Sequence, residues 1–391
     1  MMFDPELVGR VRRRLTDSAA DASHLAVLDA VRAEPARVAL GGTSLLNLSG
    51  RLHDELTGPG PLAALLADPM VTDVVVNGPS EVWVDRGAGM ARTDVTFPDP
   101  DGVRRLAQRL AASCERRLDD AHPFVDARLA DGTRLHAVLP PVAVGGPYLS
   151  LRTFRHRAFG LDELVANGCL TAPAARLVAA VVRARLAYLV TGGTGSGKTT
   201  MLASLLSLVA SHERIVIVED AAELRPSHPH VVALQARTSN VEGAGAITLR
   251  DLVRQAMRMR PDRLVIGECR GSEIVDLLGA LNTGHEGGAG TLHANTAADV
   301  PARLEVLGLL GGLPRSALHA QVAAGLQVVL HMGRVPVLGR SLEEISLLTP
   351  SDSGFVRTIS AWRRRDGPGE GIGRLVRLLA ERGVELPTGL S

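Results

Sequence analysis

The stretch Ala187-Tyr188-Leu189-Val190-Thr191-Gly192-Gly193-Thr194-Gly195-Ser196-Gly197-Lys198-Thr199-Thr200 decides the fold. A short apolar run reads as a strand, a glycine block breaks it, and a helical pattern follows. Residues 192–199 match G-x-x-x-x-G-K-[ST] in full. The glycines allow positive φ, so that successive N–H groups can converge on a phosphate. Lys198 is then expected to reach the β- and γ-phosphates of ATP, and the Thr199 hydroxyl to hold Mg²⁺. The start of the following helix adds its positive dipole end. Gly192, Gly193, Thr194, Gly195, Ser196, Gly197, Lys198, Thr199 and Thr200 are the expected nucleotide contacts.

Composition sharpens this reading. The chain has 391 residues and 43 Lys plus Arg, and Lys198 is the only lysine among them. Arginine serves everywhere else, which suggests that a guanidinium does not serve at position 198. The net charge of +1 and the 3% aromatic content argue against a field or stacking platform built for nucleic acid. Three scattered cysteines, Cys114, Cys169 and Cys269, give neither a disulfide framework nor a zinc clip. A reduced, cytoplasmic setting fits, with no signal peptide pattern after Arg10–Arg14 and no apolar run of membrane-spanning length.

Working outward, strands alternate with helices from about residue 161, as in a parallel sheet covered on both faces. Strands are expected at 187–191, 214–219, 231–235, 263–267, 290–293 and 328–331. Helices are expected at 199–211, 249–258, 272–281 and 298–307. Two further strands end in acids, Glu219-Asp220 and Gly267-Glu268, with Glu223 beyond the first. Acids at carboxyl strand ends beside a phosphate loop are placed to touch Mg²⁺, directly or indirectly, or to polarise water. Glu268 and Glu219 are the candidates, whereas Asp262, at the start of its strand, reads as structural. His285 precedes the strand at 290–293, and His293 ends it. Each reads either as a hydrogen-bonded core histidine or as a sensor of the γ-phosphate.

Before this region, residues 58–154 read as a mixed α/β domain. Its turns are Asn77-Gly78 and Asp131-Gly132, and a helix is expected over 101–117. Residues 1–57 read as short amphipathic helices, with Leu7, Val8, Val11 and Leu15 on one stripe and Leu25, Val27, Leu28 and Val31 on another. Residues 155–165 read as a linker, 166–350 as the nucleotide domain, and 351–391 as a tail containing a loop and a terminal helix.

Several motifs in order resemble the type II/type IV secretion ATPases, most closely the Tad/CpaF branch. They are the phosphate loop, the Ile217-Val218-Glu219-Asp220 and Ile266-Gly267-Glu268 segments, and Thr283-Gly284-His285 with Thr291-Leu292-His293-Ala294-Asn295. Thr72–Gly78 and Asp131–Pro141 resemble that family's sensor domain. The resemblance implies a sensor domain followed by a RecA-like ATPase domain with a mostly parallel sheet. It also implies Glu268 as the Walker B glutamate, Glu219 and Glu223 as Asp-box acids, and His285 and His293 as His-box residues. A homo-hexamer is implied, at the inner face of the membrane, with membrane-embedded platform proteins as partners. In such rings sensor-domain arginines reach ATP, and Arg128 and Arg134 sit where those are expected. The missing Cys-x-x-Cys pairs depart from the zinc-carrying branches.

Overall fold

Alternating burial along the strands of one sheet, as in Asp73–Val76, and continuous burial along those of the other, as in Ile215–Glu219, decide which layers form. The computed structural model describes residues 10–11, 13–15, 24–33, 48–50, 52–53, 56, 58–68, 70–87, 89–153, 158–237, 245–335, 339–352 and 354–385. They fall into two units, Met1–Arg155 and His156–Ser391.

The first unit opens with α1 (His24–Arg32) and neighbouring helical turns. Val11, Leu15, Val27, Val31 and Leu52 meet in a small core of their own. Leu25, expected on the same stripe, is exposed. Leu7 and Val8 lie outside the described residues. There follow β1 (Asp73–Val76), β2 (Val82–Asp85), β3 (Met90–Arg92), α2 (Pro100–Ser113), β4 (Phe124–Arg128), β5 (Arg134–Val138) and β6 (Tyr148–Arg152). The strands form one antiparallel sheet, β3-β2-β1-β6-β5-β4, with the two expected turns joining β1 to β2 and β4 to β5. The Asp99 side chain caps α2 by accepting from the Gly102 N–H at 2.6 Å, with Pro100 at the first helical position. Val103, Leu106 and Leu110 of α2 then pack on Val74, Val76, Leu135 and Leu149.

The second unit contains α3 (Leu161–Ala166), α4 (Ala172–Arg183), β7 (Tyr188–Gly192), α5 (Lys198–Leu206), β8 (Ile215–Glu219), β9 (Val231–Gln235), α6 (Leu249–Ala256) and β10 (Arg263–Cys269). It continues with α7 (Glu273–Leu281), β11 (Ala289–His293), α8 (Val300–Leu310), α9 (Arg315–Gly325) and β12 (Val328–Val335). It closes with β13 (Gly339–Pro350), β14 (Val356–Arg363), β15 (Gly367–Pro368) and α10 (Ile372–Glu381). The sheet order is β15-β14-β13-β12-β7-β11-β10-β8-β9. It is parallel from β12 to β9 and antiparallel from β12 to β15.

Because successive side chains point to opposite faces, one sheet makes two cores. Tyr188, Val190, Ile215, Ile217 and Val265 face a core that includes residues of α4, α5 and α10. Leu189, Val216, Val218, Leu264 and Ile266 face another that includes α6, α7, α8 and α9. All six expected strands are present, and β12 runs four residues further than expected.

Two expectations about the chain's organisation change. The stretch expected as a tail contributes β14, β15 and α10, and buries Ala361, Trp362, Leu375 and Leu379 in the core. Its Arg363-Arg364-Arg365 run hid this, yet Arg364 is spent on the carbonyls of Gly168 and Cys169, at 2.8 and 3.3 Å. Within the expected linker, α3 already begins at Leu161, where Glu163 accepts from the Gly160 N–H.

At the amino ends of the parallel strands, Arg263 is fully buried and holds Glu213 through Nε and Nη2, at 2.7 and 3.2 Å. Arg185 binds the same carboxylate at 2.7 Å. Removing one partner of a buried ion pair is strongly destabilising, and without Arg263 the Glu213 carboxylate keeps only the half-exposed Arg185. Arg263→Ala is therefore expected to cost about 3–5 kcal/mol in denaturant unfolding. A loss below about 1 kcal/mol, the range of an exposed ion pair, would refute the assignment.

Candidate nucleotide site

The phosphate loop begins where β7 stops. Gly192 has φ +145°, and a Cβ there would lie 2.4 Å from the Met332 carbonyl oxygen and 2.6 Å from Ser196 Oγ. No side chain fits at this position. Gly195 and Gly197 also take positive φ, +71° and +93°, and Gly197 is the cap residue of α5. The Ser196 hydroxyl closes the loop on the Gly193 carbonyl at 2.9 Å. Lys198 opens α5 and folds back over the loop, donating to the carbonyls of Gly192 and Gly193 at 3.0 and 2.9 Å. Thr194 is exposed, while Thr199 and Thr200 are half-buried on the first turn of α5.

This arrangement fits a polyphosphate. Left-handed glycines, the amino end of α5 and the Lys198 ammonium adjoin one another in the loop, and phosphate oxygens can replace the carbonyls the lysine now holds. Burial pulls the Lys198 pKa down, Glu268 pulls it up, and Arg270 lowers it. The three groups are thus electrostatic neighbours. Glu268 Oε2 accepts from Arg270 Nη2 at 2.5 Å.

The two expected acids differ in their surroundings. Glu268 is half-buried at the end of β10, two strands from β7. Glu219 is buried, and its carboxylate accepts from the backbone N–H groups of Glu223 and Leu224 at 3.0–3.3 Å. It threads beside Gly267, where a Cβ would come within 2.4 Å of Glu219 Cγ. Its visible work is to close the turn after β8. That turn carries Asp220, the strand-end acid not made a candidate from the sequence. The Asp220 pKa is raised by burial, lowered by Arg270, and raised again by Glu273 and Glu268. Asp220 therefore shares the field of Glu268. The signal for it was available, since it is the next residue after the expected Glu219.

The histidines separate. His293 ends β11 directly opposite Gly192 in the register and is half-buried. His285 precedes the amino end of the same five-residue strand, about 16 Å of extended chain away. The structure does not bring it to the phosphate loop. Its Nδ1 is buried among the described residues without a hydrogen bond. A histidine not singled out in the sequence, His331 on β12, lies closer, with Nδ1 at 3.0 Å from the Thr191 hydroxyl. Only pairing of β12 with β7 brings it there.

In the first unit, Arg128 and Arg134 face each other across the β4–β5 hairpin. Arg128 Nε donates to the Gly132 carbonyl at 3.0 Å. Arg134 forks onto Asp126 at 3.1 and 2.6 Å, which holds that carboxyl below its ordinary pKa despite partial burial. Both are thus engaged within their own hairpin.

Fold and family follow from these features. The chain has a mixed α/β fold resembling the RecA-like ATPases PilT and DotB. The pilus retraction motor PilT, solved with bound ADP, is 22% identical over 75% of this chain and 83% of its own, with a TM-score of 0.54. The ATPase DotB of Yersinia pseudotuberculosis is 15% identical over 80% of this chain and 83% of its own, with a TM-score of 0.53. At the sequence level, a putative conjugal transfer protein of Mycobacterium tuberculosis is 54% identical over 349 residues, 88% of this chain and 99% of its own. The type IV secretion system protein PtlH of Bordetella pertussis is 32% identical over 68% of this chain and 86% of its own. Residues 55–338 match the type II/IV secretion system protein family, and the chain belongs to it. No helix among the described residues is long and apolar enough to cross a membrane.

His331 is expected to make stability respond to acid. Burial lowers its pKa below the ordinary 6.5, against the raising influence of Glu344 and an Asn295 backbone hydrogen bond. The folded protein therefore binds this proton less well than the unfolded chain. Stability from His331 is present above the unfolded pKa and falls as pH drops through it, by up to about 1.4 kcal/mol per pH unit. His331→Gln is expected to flatten the fall in unfolding free energy between about pH 7 and 5.5. An unchanged slope would show that another group titrates.

Proposed function

We propose that this chain is an ATPase that couples Mg-ATP hydrolysis to the movement of pilus or secretion components in a membrane machine, of the Tad (Flp) pilus type. The observation that carries this reading is the proximity of Lys198, folded over the glycine loop, to the strand-end acid Glu268. Family membership supports it. The loop amides and Lys198 would bind the β- and γ-phosphates, and the Thr199 hydroxyl would be the protein's ligand to Mg²⁺. Bound Mg²⁺ would neutralise charge on the phosphate oxygens. Glu268 orients the attacking water through its carboxylate, one oxygen of which is steadied by Arg270. Glu219 acts through the turn it closes, and Glu223 and Asp220 border the site on that turn. His293 senses the γ-phosphate from the neighbouring strand.

The working form in this reading is a homo-hexamer at the inner, cytoplasmic face of the membrane, docked on membrane-embedded platform proteins. Arg128 and Arg134 exchange their hairpin partners for ATP across the ring. An arginine supplied this way is worth roughly 10³–10⁵ in rate in related chemistry.

A second reading, a motor that translocates DNA in conjugal transfer, has one observation in its favour. The 54% identical mycobacterial relative is named a putative conjugal transfer protein. The net charge of +1 and the 3% aromatic residues favour a protein client instead. Affinity capture from detergent-solubilised membranes separates the two. A polytopic membrane protein in the eluate supports the first reading, and DNA alone supports the second.

Lys198→Ala should nearly abolish hydrolysis with the fold intact, and Lys198→Arg should also be poor. Glu268→Gln should keep ATP binding and slow turnover on the order of 10²–10⁴-fold. Full activity of Lys198→Arg, or lost ATP affinity in Glu268→Gln, contradicts the roles given.

Sharing of the site between subunits is tested by mixing. Arg128→Ala/Arg134→Ala protein, intact at Lys198, is combined with Lys198→Ala protein carrying both arginines. Each alone should be nearly inactive, and the mixture should recover activity. A mixture that stays inactive places the arginines and the loop of one site in the same chain.

A further inference from the structure

The hairpin formed by β12 and β13 runs past the end of the phosphate loop's own strand. Residue Met332 of β12 is in register with Gly192, the last residue of β7. β12 then continues through Gly333, Arg334 and Val335, and β13 returns through Gly339 and Arg340. Since β12 and β7 are parallel, these extra residues extend alongside the loop rather than away from it. Contact confirms the proximity. A Cβ built on Gly197 would lie 3.3 Å from Arg340 Cδ, 3.6 Å from its Cβ and 3.9 Å from its Cγ. The aliphatic stem of Arg340 therefore lies on the residue just before Lys198.

The charges at this tip are poorly arranged for the protein alone. Arg334 and Arg340 are direct cross-strand partners, and both are exposed. Like charges opposite one another on a sheet are destabilising. Among the described residues, neither guanidinium makes a hydrogen bond or an ion pair. Several other arginines of this unit, but not all, are committed: Arg263 and Arg185 to Glu213, Arg250 and Arg254 to Asp276, and Arg315 to Glu305. The hairpin's own Glu343 instead accepts from the Ser341 hydroxyl at 2.5 Å. Arg340, whose stem touches the phosphate loop, and Arg334 opposite it are thus placed to meet an anion held there.

Their side of the loop limits which part of the anion they meet. β7 has β11 and β10 on one flank, carrying His293 and Glu268, and β12 on the other. The reacting γ-phosphate belongs on the Glu268 flank. We infer that Arg334 and Arg340 form a clamp, supplied by the same chain, on the α-phosphate side of the bound nucleotide, the part common to ADP and ATP. This rests on the ATPase reading above. Neither residue was singled out in the sequence. Nothing in the spacing of Arg334 and Arg340 marks them, because a hairpin fold-back and strand pairing bring them to the loop.

The test compares wild-type protein, Arg334→Ala/Arg340→Ala and Lys198→Ala by fluorescence titration with ribose-labelled ADP and ATP, together with thermal unfolding without nucleotide. The double variant should lose affinity for ADP and ATP alike, by about tenfold or more, as expected for lost charge-assisted hydrogen bonds. Its melting temperature without nucleotide should be unchanged or raised, because a like-charge opposition has been removed. Unchanged affinity for both nucleotides overturns the clamp while leaving the ATPase reading intact, provided that Lys198→Ala has lost binding. Loss confined to ATP overturns the α-phosphate placement and puts the arginines at the γ end. Wild-type protein that binds neither nucleotide overturns the ATPase reading and the clamp together.

Discussion

A glycine with no room for a side chain governs the working edge of this protein. At Gly192 the backbone must turn with φ +145° while the Met332 carbonyl and the Ser196 hydroxyl occupy the space where a Cβ would go. This close approach lets β12 pair along the whole of β7 and still leaves the loop free to curl. The start of α5, the position of Lys198 and the course of the β12–β13 hairpin all depend on it. The same device recurs at Gly267, where the missing Cβ leaves a path for the Glu219 side chain. Backbone crowding, relieved by glycine, is how this sheet brings several groups to one end without strain.

Charge is divided between the two ends of the parallel strands. At the amino ends the buried Glu213 carboxylate is satisfied by Arg263 and Arg185, so that the pair acts as a fastener. At the carboxyl ends the groups are less committed. Among the described residues Lys198 holds loop carbonyls, Asp220 is pushed toward its neutral form by burial against the pull of Arg270, and Glu268 leans on one arginine. Such partly satisfied groups around a loop of convergent amides suit a site that gains and loses a highly charged ligand. Glu219 stands between these extremes. It is a strand-end acid at the working edge, yet its carboxylate serves backbone amides.

Much of the architecture was legible in the residues. The glycine loop between an apolar strand and a helix can be read directly, because local backbone conformation and a regular apolar run are properties of neighbouring residues. The alternating strands of the second unit were legible for the same reason, and so were the hairpins at Asn77-Gly78 and Asp131-Gly132. The carboxyl-terminal strands were not. Their polar and basic residues disguise a half-buried surface, and their stability comes from pairing with β12 and β13, far away in sequence. For strands at the margin of a sheet, propensity is weak beside such pairing.

The site divides along the same line. Sequence by itself determined Gly192–Thr199 and the strand-end positions of Glu219, Glu268 and His293, since each follows from a local pattern and a strand direction. Only the tertiary structure decided which of these groups meet. It set His285 at the far end of β11, turned Glu219 onto backbone amides, and drew Asp220, Arg270 and His331 toward the loop. It also laid Arg340 against Gly197. The physical reason is that strand order and register are long-range choices, made by burying two apolar faces of one sheet at once. A side chain's neighbours across strands are fixed by that burial and not by the residues beside it in the chain.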